Sequence, residues 1–209
     1  MKHSALKSDV WLILVTLFAG FGWVFSAEAL VGMTPLLFIG TRFLLAGFIL
    51  IGFGWGALHK LSRQDWRHAL LTGAVMGLAL SCWIMGLALA DNMGIGAFIA
   101  SLAVVFVPIV GKLLFGASTS LSTWVAIAVA LVGLAFLRLE EGLSLSASDA
   151  FFLMAALGFS VHFNLNTRFA SSIPALPLTA LQLLGCCLIF SALLVSRWRV
   201  LFRRSRMAG

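Results

Sequence analysis

The chain has 209 residues, is 62% hydrophobic and only 10% charged, and carries a formal net charge of +7. A soluble domain of this size keeps about 25% charged residues to cover its surface. Composition therefore excludes a soluble globular domain, and the mean hydropathy of +1.10 points to an all-α polytopic membrane bundle without a separate soluble part.

Seven apolar stretches reach or approach the ~20 residues that cross hydrocarbon, at roughly 10–28, 34–56, 68–90, 93–115, 120–138, 149–167 and 176–196. The first follows Met1-Lys2-His3 and Lys7, and Ala27-Glu28-Ala29 resembles a small-x-small cleavage site. Its apolar run from Val10 exceeds the usual 7–15 residue core of a secretory signal, so it is read as a retained span. Trp23 lies deep in it, either walling a solute path or filling a core. Glu28 ends it, too near the interface for a proton-coupling acid. Arg42 opens the second span and either snorkels to the interface or binds an anionic group. Trp11, Trp55, Trp66, Trp124 and Trp198 sit where interfacial anchors belong.

Span three presents Gly73, Gly77 and Ser81 on one face, and span four presents Ala97 and Ser101 beside Gly96 and Ala100. Small residues at this spacing let membrane helices approach closely. Trp83 lies in the outer half of span three, a second candidate wall. Pro108 removes a backbone donor from span four and predicts a kink there. Cys82, Cys186 and Cys187 lie inside spans without metal-ligand spacing and read as packing residues. Span six carries the most distinctive pattern: Ser160, His162, Asn164 and Asn166 interrupt its apolar run. At 100° per residue, Phe159, His162 and Asn166 share one face, and Ser160, Asn164 and Thr167 another. So broad a polar surface either lines an aqueous cavity or bonds to several neighbouring helices. Span seven adds Gln182.

Cytoplasmic loops carry the excess of Lys and Arg. Lys2, Lys7, Lys60, Arg63, Arg67, Lys112 and Arg168 share one side if the N-terminus is cytoplasmic. Glu28, Asp91, Glu140, Glu141 and Asp149 then lie outside, with Arg138. The basic tail Arg197, Arg199, Arg203, Arg204 and Arg206 conflicts with that order. Three readings fit it: a chain cut short, an anchor to anionic headgroups, or a seventh span that does not cross. The first is preferred at this stage, and with it self-association of the chain or loss of transport.

The order of features repeats. Ser8-Asp9 opens the first span and Ser148-Asp149 the sixth, and Arg42-Phe43-Leu44-Leu45 falls on Gln182-Leu183-Leu184-Gly185 at the same offset of about 140 residues. An odd number of spans between copies inverts the second copy, an architecture of secondary transporters with the path between repeats. The boundaries read from this are 1–139 for a full five-span repeat and 140–209 for a partial second one. No HExxH motif, phosphate loop or metal cluster is present in the pattern, so no enzyme activity, cofactor or metal is expected.

Arg42-Phe43-Leu44-Leu45-Ala46-Gly47 resembles the start of the second span in the EamA family of drug/metabolite transporters. Ala100-Ser101-Leu102 through Pro108 and Gly116 resembles its fourth span. Ala155-Ala156-Leu157-Gly158-Phe159 and Thr179-Ala180-Leu181-Gln182 resemble the opening of its second repeat. The resemblance implies ten spans in two inverted repeats around a path for amino acids, other metabolites or drugs. The chain departs from it at Ala117, where an acid is usual, at Ala19-Gly20, where Trp-Gly is usual, and in three spans of the second repeat. The expectation is an exporter of small metabolites in the cell (inner) membrane, working by alternating access and having no nucleic-acid partner. Trp23, Arg42, Trp83, His162, Asn164, Asn166 and Gln182 are its candidate path residues. The rival reading is a non-transporting fragment or structural membrane subunit.

Overall fold

The structure, a computed structural model, describes residues 2–118, 120–141, 146–170 and 172–207, with side chains before residue 9, from 134 to 145 (Phe136 excepted) and beyond 195 outside the described set. The described residues form helices and no strand. They divide into two compact units, Met1–Thr34 and Pro35–Gly209.

The first unit is α1 (Lys2–Ala29) and the turn after it. Its apolar residues run all round the helix, as a lipid-facing span requires, and Asp9–Ala29 is long and apolar enough to cross a bilayer. The helix unwinds through short-range bonds, among them Met33 N–H to the Ala29 carbonyl at 3.1 Å.

The second unit holds α2 (Pro35–Leu58), α3 (Arg63–Ala88), α4 (Met93–Ser101), α5 (Ala103–Phe115), α6 (Leu121–Glu141), α7 (Ala147–Phe169) and α8 (Ala175–Met207). With α4 and α5 taken as one span, five membrane-length apolar stretches lie here; α6 shows a shorter one, Leu121–Gly133. Two starts are fixed by capping boxes. Ser62 and Asp65 bond each other's backbone N–H at the head of α3, and Ser146 and Asp149 do the same for α7. Each pair satisfies two donors that a helix start leaves orphaned. The box starts α3 at Arg63, five residues before the apolar run predicted from 68. Asp149 is thus a capping residue, whereas Asp9 only opens the apolar part of a helix already under way.

Helix α3 is the spine, packed most extensively on α7 and α8, while α2 covers the other side of α8 and α4 and α5 lie on α7. Glycine makes these approaches possible. Gly40, Gly47 and Gly54 of α2 face Phe190, Leu183 and Leu176 of α8, a seven-residue step on both helices. Such a step keeps one seam in register along two antiparallel helices. On α3, Gly73 and Gly77 meet the backbone of Gln182 and Cys186, and Gly185 of α8 fits against Leu70 and Ala74 in return. The face predicted for span three, Gly73, Gly77 and Ser81, is accordingly buried. In span four the buried face is Ile95, Gly96 and Ile99, not Ala97 and Ser101, because the Phe152 ring of α7 seats on Gly96.

Span four is interrupted at Leu102, six residues before the predicted kink at Pro108. The Ser101 hydroxyl donates to the Phe98 carbonyl at 2.6 Å, the acceptor that Leu102 N–H would use in a regular helix. That N–H turns instead to Ile99 at 3.1 Å. Pro108 lies inside α5, and Gly116, at φ 65°, ends that helix in the left-handed conformation that glycine alone adopts without cost.

One end of this unit gathers positive charge. His68 stacks on Phe169 at 4.1 Å, Arg168 lies 5.6 Å over the Phe115 ring and Lys112 5.6 Å over Trp124. These contacts join the starts of α3 and α6 to the ends of α5 and α7, and the Lys60, Arg63 and Arg67 stretch belongs to the same end. Asp91 and Asp149 lie at the other.

Candidate functional site

Helix α7 reaches three neighbours through its polar side chains. His162, 6% exposed, has Nδ1 3.2 Å from the Thr72 carbonyl of α3. A carbonyl only accepts, so Nδ1 is the donor of this bond. One turn later, Asn166 Oδ1 accepts from Gln182 Nε2 of α8 at 2.7 Å. On the opposite side of the helix, Asn164 Nδ2 donates to the Val107 carbonyl of α5 at 2.9 Å and to the Ser160 carbonyl of its own helix at 2.8 Å. Gly111 leaves room for this amide: a Cβ there would lie 2.7 Å from Asn164 Oδ1.

The two polar faces expected on span six therefore have separate destinations. His162 and Asn166 point to α3 and α8, Asn164 to α5. Ser160 and Thr167 return to the carbonyls of Leu157 and Phe163 at 2.7 and 2.9 Å. Below the Asn166–Gln182 pair, the Cys186 thiol donates to the Gly73 carbonyl at 3.2 Å. The seam thus consists of amides, an imidazole and main-chain carbonyls inside a membrane span. Among the described residues no three His, Cys, Asp or Glu side chains come together to hold a metal. This arrangement can exchange hydrogen bonds with a polar solute and can tie helices to one another.

The structure brings His162, Asn166 and Gln182 together on one side of α7 and turns Asn164 to α5 on the other. Trp83 is buried on α3, 8% exposed, but lies 11 residues from Thr72, about 16 Å along the helix. Arg42 is on the exposed side of α2, its guanidinium 6.0 Å from the Phe43 ring. Trp23 belongs to the first unit, half-buried on α1. The Arg197–Arg206 side chains and the Glu140–Ser144 linker lie outside the described side chains. Sequence reasoning missed Thr72, Val107, Gly111 and Gly185. Beside the Gly73–Gly77 face that was read, the seven-residue spacing of Gly40, Gly47 and Gly54 on α2 was an unread signal for the close packing of α8.

The family model of the EamA-like transporter family matches residues 6–139. The chain belongs to that family. The match takes in α1 to α6, so the EamA seam joins matched helices α3 and α5 to α7 and α8, which lie beyond it. A relative in Escherichia coli K12 is described as an uncharacterized inner membrane transporter, YedA, and is 34% identical over 114 residues, 53% of this chain and 36% of the relative. The same protein of E. coli O6:H1 and O157:H7 matches equally. The aligned part is thus little more than a third of the relative's length. No solved structure matches the chain.

Proposed function

We propose that this EamA protein exports small metabolites, of the amino-acid or drug class, across the inner membrane by alternating access. The single observation that carries the reading is the α7 seam: four polar side chains inside membrane spans, bonded to three different helices. Intramembrane polar groups are costly and mark solute paths by default. The break at Leu102 beside this seam supplies a point where α4 and α5 can change angle. Family membership and the YedA relative support transport as the general activity. Inverted repeats over 1–139 and 140–209 would put the path between copies. The gathered cations support a cytoplasmic location for the Lys60–His68 end, and with it a cytoplasmic N-terminus.

The second reading, a structural membrane subunit, is favoured by one specific observation: His162, Asn164 and Gln182 all spend a donor on another helix. Proteoliposomes decide between them. Efflux of an amino-acid panel should exceed that of empty vesicles and should fall in the Asn164→Leu/Asn166→Leu variant while insertion stays normal. Equal flux with and without protein would leave the structural role. A cysteine at Ser62 should resist an impermeant thiol reagent in intact cells, and one at Asp91 should react; the reverse would overturn the orientation.

A further inference from the structure

A cavity of about 400 Å³ lies where α2, α3 and α8 meet, lined by Ile51, Trp55, Leu58, Trp66, Leu181 and Leu184. Its volume is within the ~300–1,000 Å³ of pockets that hold organic ligands. Its walls are mainly apolar. His59 and Leu61 complete its lining, and His59 is held in place by Nδ1 against the Trp55 carbonyl at 2.9 Å.

Cations border the cavity. Lys60 lies in sequence between lining residues His59 and Leu61, and it is exposed. Arg63 and Arg67 flank Trp66 on the first turns of α3, and both line a second open cleft with Gln64 and His68. The acid in this stretch, Asp65, is engaged with Ser62 in the capping box, its Oδ2 2.7 Å from Ser62 Oγ. Three exposed cations thus stand on the chain beside residues that line an apolar, tryptophan-walled cavity at a helix end. A free phosphate has no use for the cavity, and a neutral lipid has no use for the cations.

We propose that this end binds one anionic phospholipid, with acyl carbons against Trp55, Trp66, Leu181 and Leu184 and its phosphate at Lys60, Arg63 and Arg67. Basic residues near a helix end recognise anionic headgroups through charge, and indole rings settle at the same depth. The site is separate from the α7 seam and does not depend on which solute the protein moves. Lipid held here would wedge between α2, α3 and α8.

The test uses the full chain in phosphatidylcholine vesicles containing about 10% of either phosphatidylglycerol or phosphatidylcholine with brominated acyl chains. Bromine quenches nearby indoles, and the difference between wild type and a Trp55→Phe/Trp66→Phe variant isolates the two cavity tryptophans. Brominated phosphatidylglycerol should quench them at severalfold lower mole fraction than brominated phosphatidylcholine. At about fivefold per cation near a charged surface, Lys60→Gln/Arg63→Gln/Arg67→Gln should abolish that preference. A single Leu184→Phe filling substitution, read on the same indoles by displacement of the quencher, should weaken both lipids. Equal quenching by the two lipids, or a preference that survives the triple variant, overturns the proposal. Loss of the preference on adding millimolar inorganic phosphate at constant ionic strength overturns it too, since the site would then take a headgroup-sized anion.

Discussion

Gly73→Ala tests the packing of the spine directly. An ideal Cβ at this position would lie 2.6 Å from the Cα and 2.8 Å from the carbonyl carbon of Gln182. Carbon atoms rest about 3.5–4.0 Å apart, so α8 would have to retreat by about 1 Å. The obstacle is backbone, which cannot rotate away as a side-chain tip does. Overpacking of this kind costs about 1–3 kcal/mol, against a gain of at most about 1 kcal/mol from replacing glycine by alanine in a helix. The same retreat would lengthen the 3.2 Å Cys186–Gly73 bond and the 2.7 Å Asn166–Gln182 bond. The net loss should lower the melting temperature of the detergent-purified protein by several degrees, at about 2–4 °C per kcal/mol for a chain of this length. Gly52, with nothing within 4 Å of its Cβ position, and Gly47, whose nearest neighbour there is Leu183 Cβ at 3.5 Å, provide the scale. Alanine at these two should be neutral or mildly stabilising, and Gly77→Ala, 2.9 Å from Cys186 Cα, should fall between them and Gly73→Ala. A Gly73→Ala protein as stable as the wild type, with Gly52→Ala the less stable of the pair, would refute this account of the α3–α8 contact.

Leucine at Asn166 and at Gln182, alone and together, should reveal a coupling of about 0.6 kcal/mol and no more than about 1.7, the range for hydrogen bonds between membrane helices; additive losses would mean the pair contributes nothing. Ser146→Ala removes the hydroxyl that accepts from Asp149 N–H at 3.2 Å and should cost about 0.5–2 kcal/mol, read as a lower unfolding temperature and faster amide exchange in the first turn of α7. Asn164→Leu, which removes donors to both the Val107 and Ser160 carbonyls, should destabilise more than Thr167→Val, whose hydroxyl bonds only its own helix.

The number and order of spans were legible because each is a long apolar run, and that signal survives whatever surrounds the helix. The polar residues of α7 were legible for the complementary reason: they interrupt such a run. Their partners were not. His162 and Asn164 bond to the main-chain carbonyls of Thr72 and Val107, and every residue has a carbonyl, so nothing in the sequence of α3 or α5 marks the receiving end. Only Asn166–Gln182 joins two side chains, and both of those residues were singled out. The break at Leu102 was hidden by a stronger-looking neighbour. Pro108 announces a missing donor, but α5 carries it inside a continuous helix, while Ser101 diverts a carbonyl without any unusual composition. The buried face of span four differs by one residue from the expected one because ring-on-glycine packing, Phe152 on Gly96, selects the smallest residue rather than the best-spaced pair.

The bonding state of the seam bears on what a solute would meet there. Nδ1 of His162 and the amide nitrogens of Asn164 and Gln182 each already donate to a protein acceptor. A solute entering the seam exchanges these bonds for its own instead of adding new ones. Leaving any of them unmet in hydrocarbon costs several kcal/mol, whereas each existing bond contributes only about 0.6 kcal/mol against a membrane-inserted alternative. Exchange is therefore nearly free when the solute carries both donors and acceptors, and strongly unfavourable when it carries neither. On the proposed carrier reading, the seam would therefore select for polar, zwitterionic or amide-like solutes and give them weak affinity. Weak affinity suits a carrier, which must release on one side what it binds on the other. The same arithmetic separates the two functional readings: leucines in the seam should lower stability modestly under either, by the bonds they remove, but they should abolish flux only in a carrier.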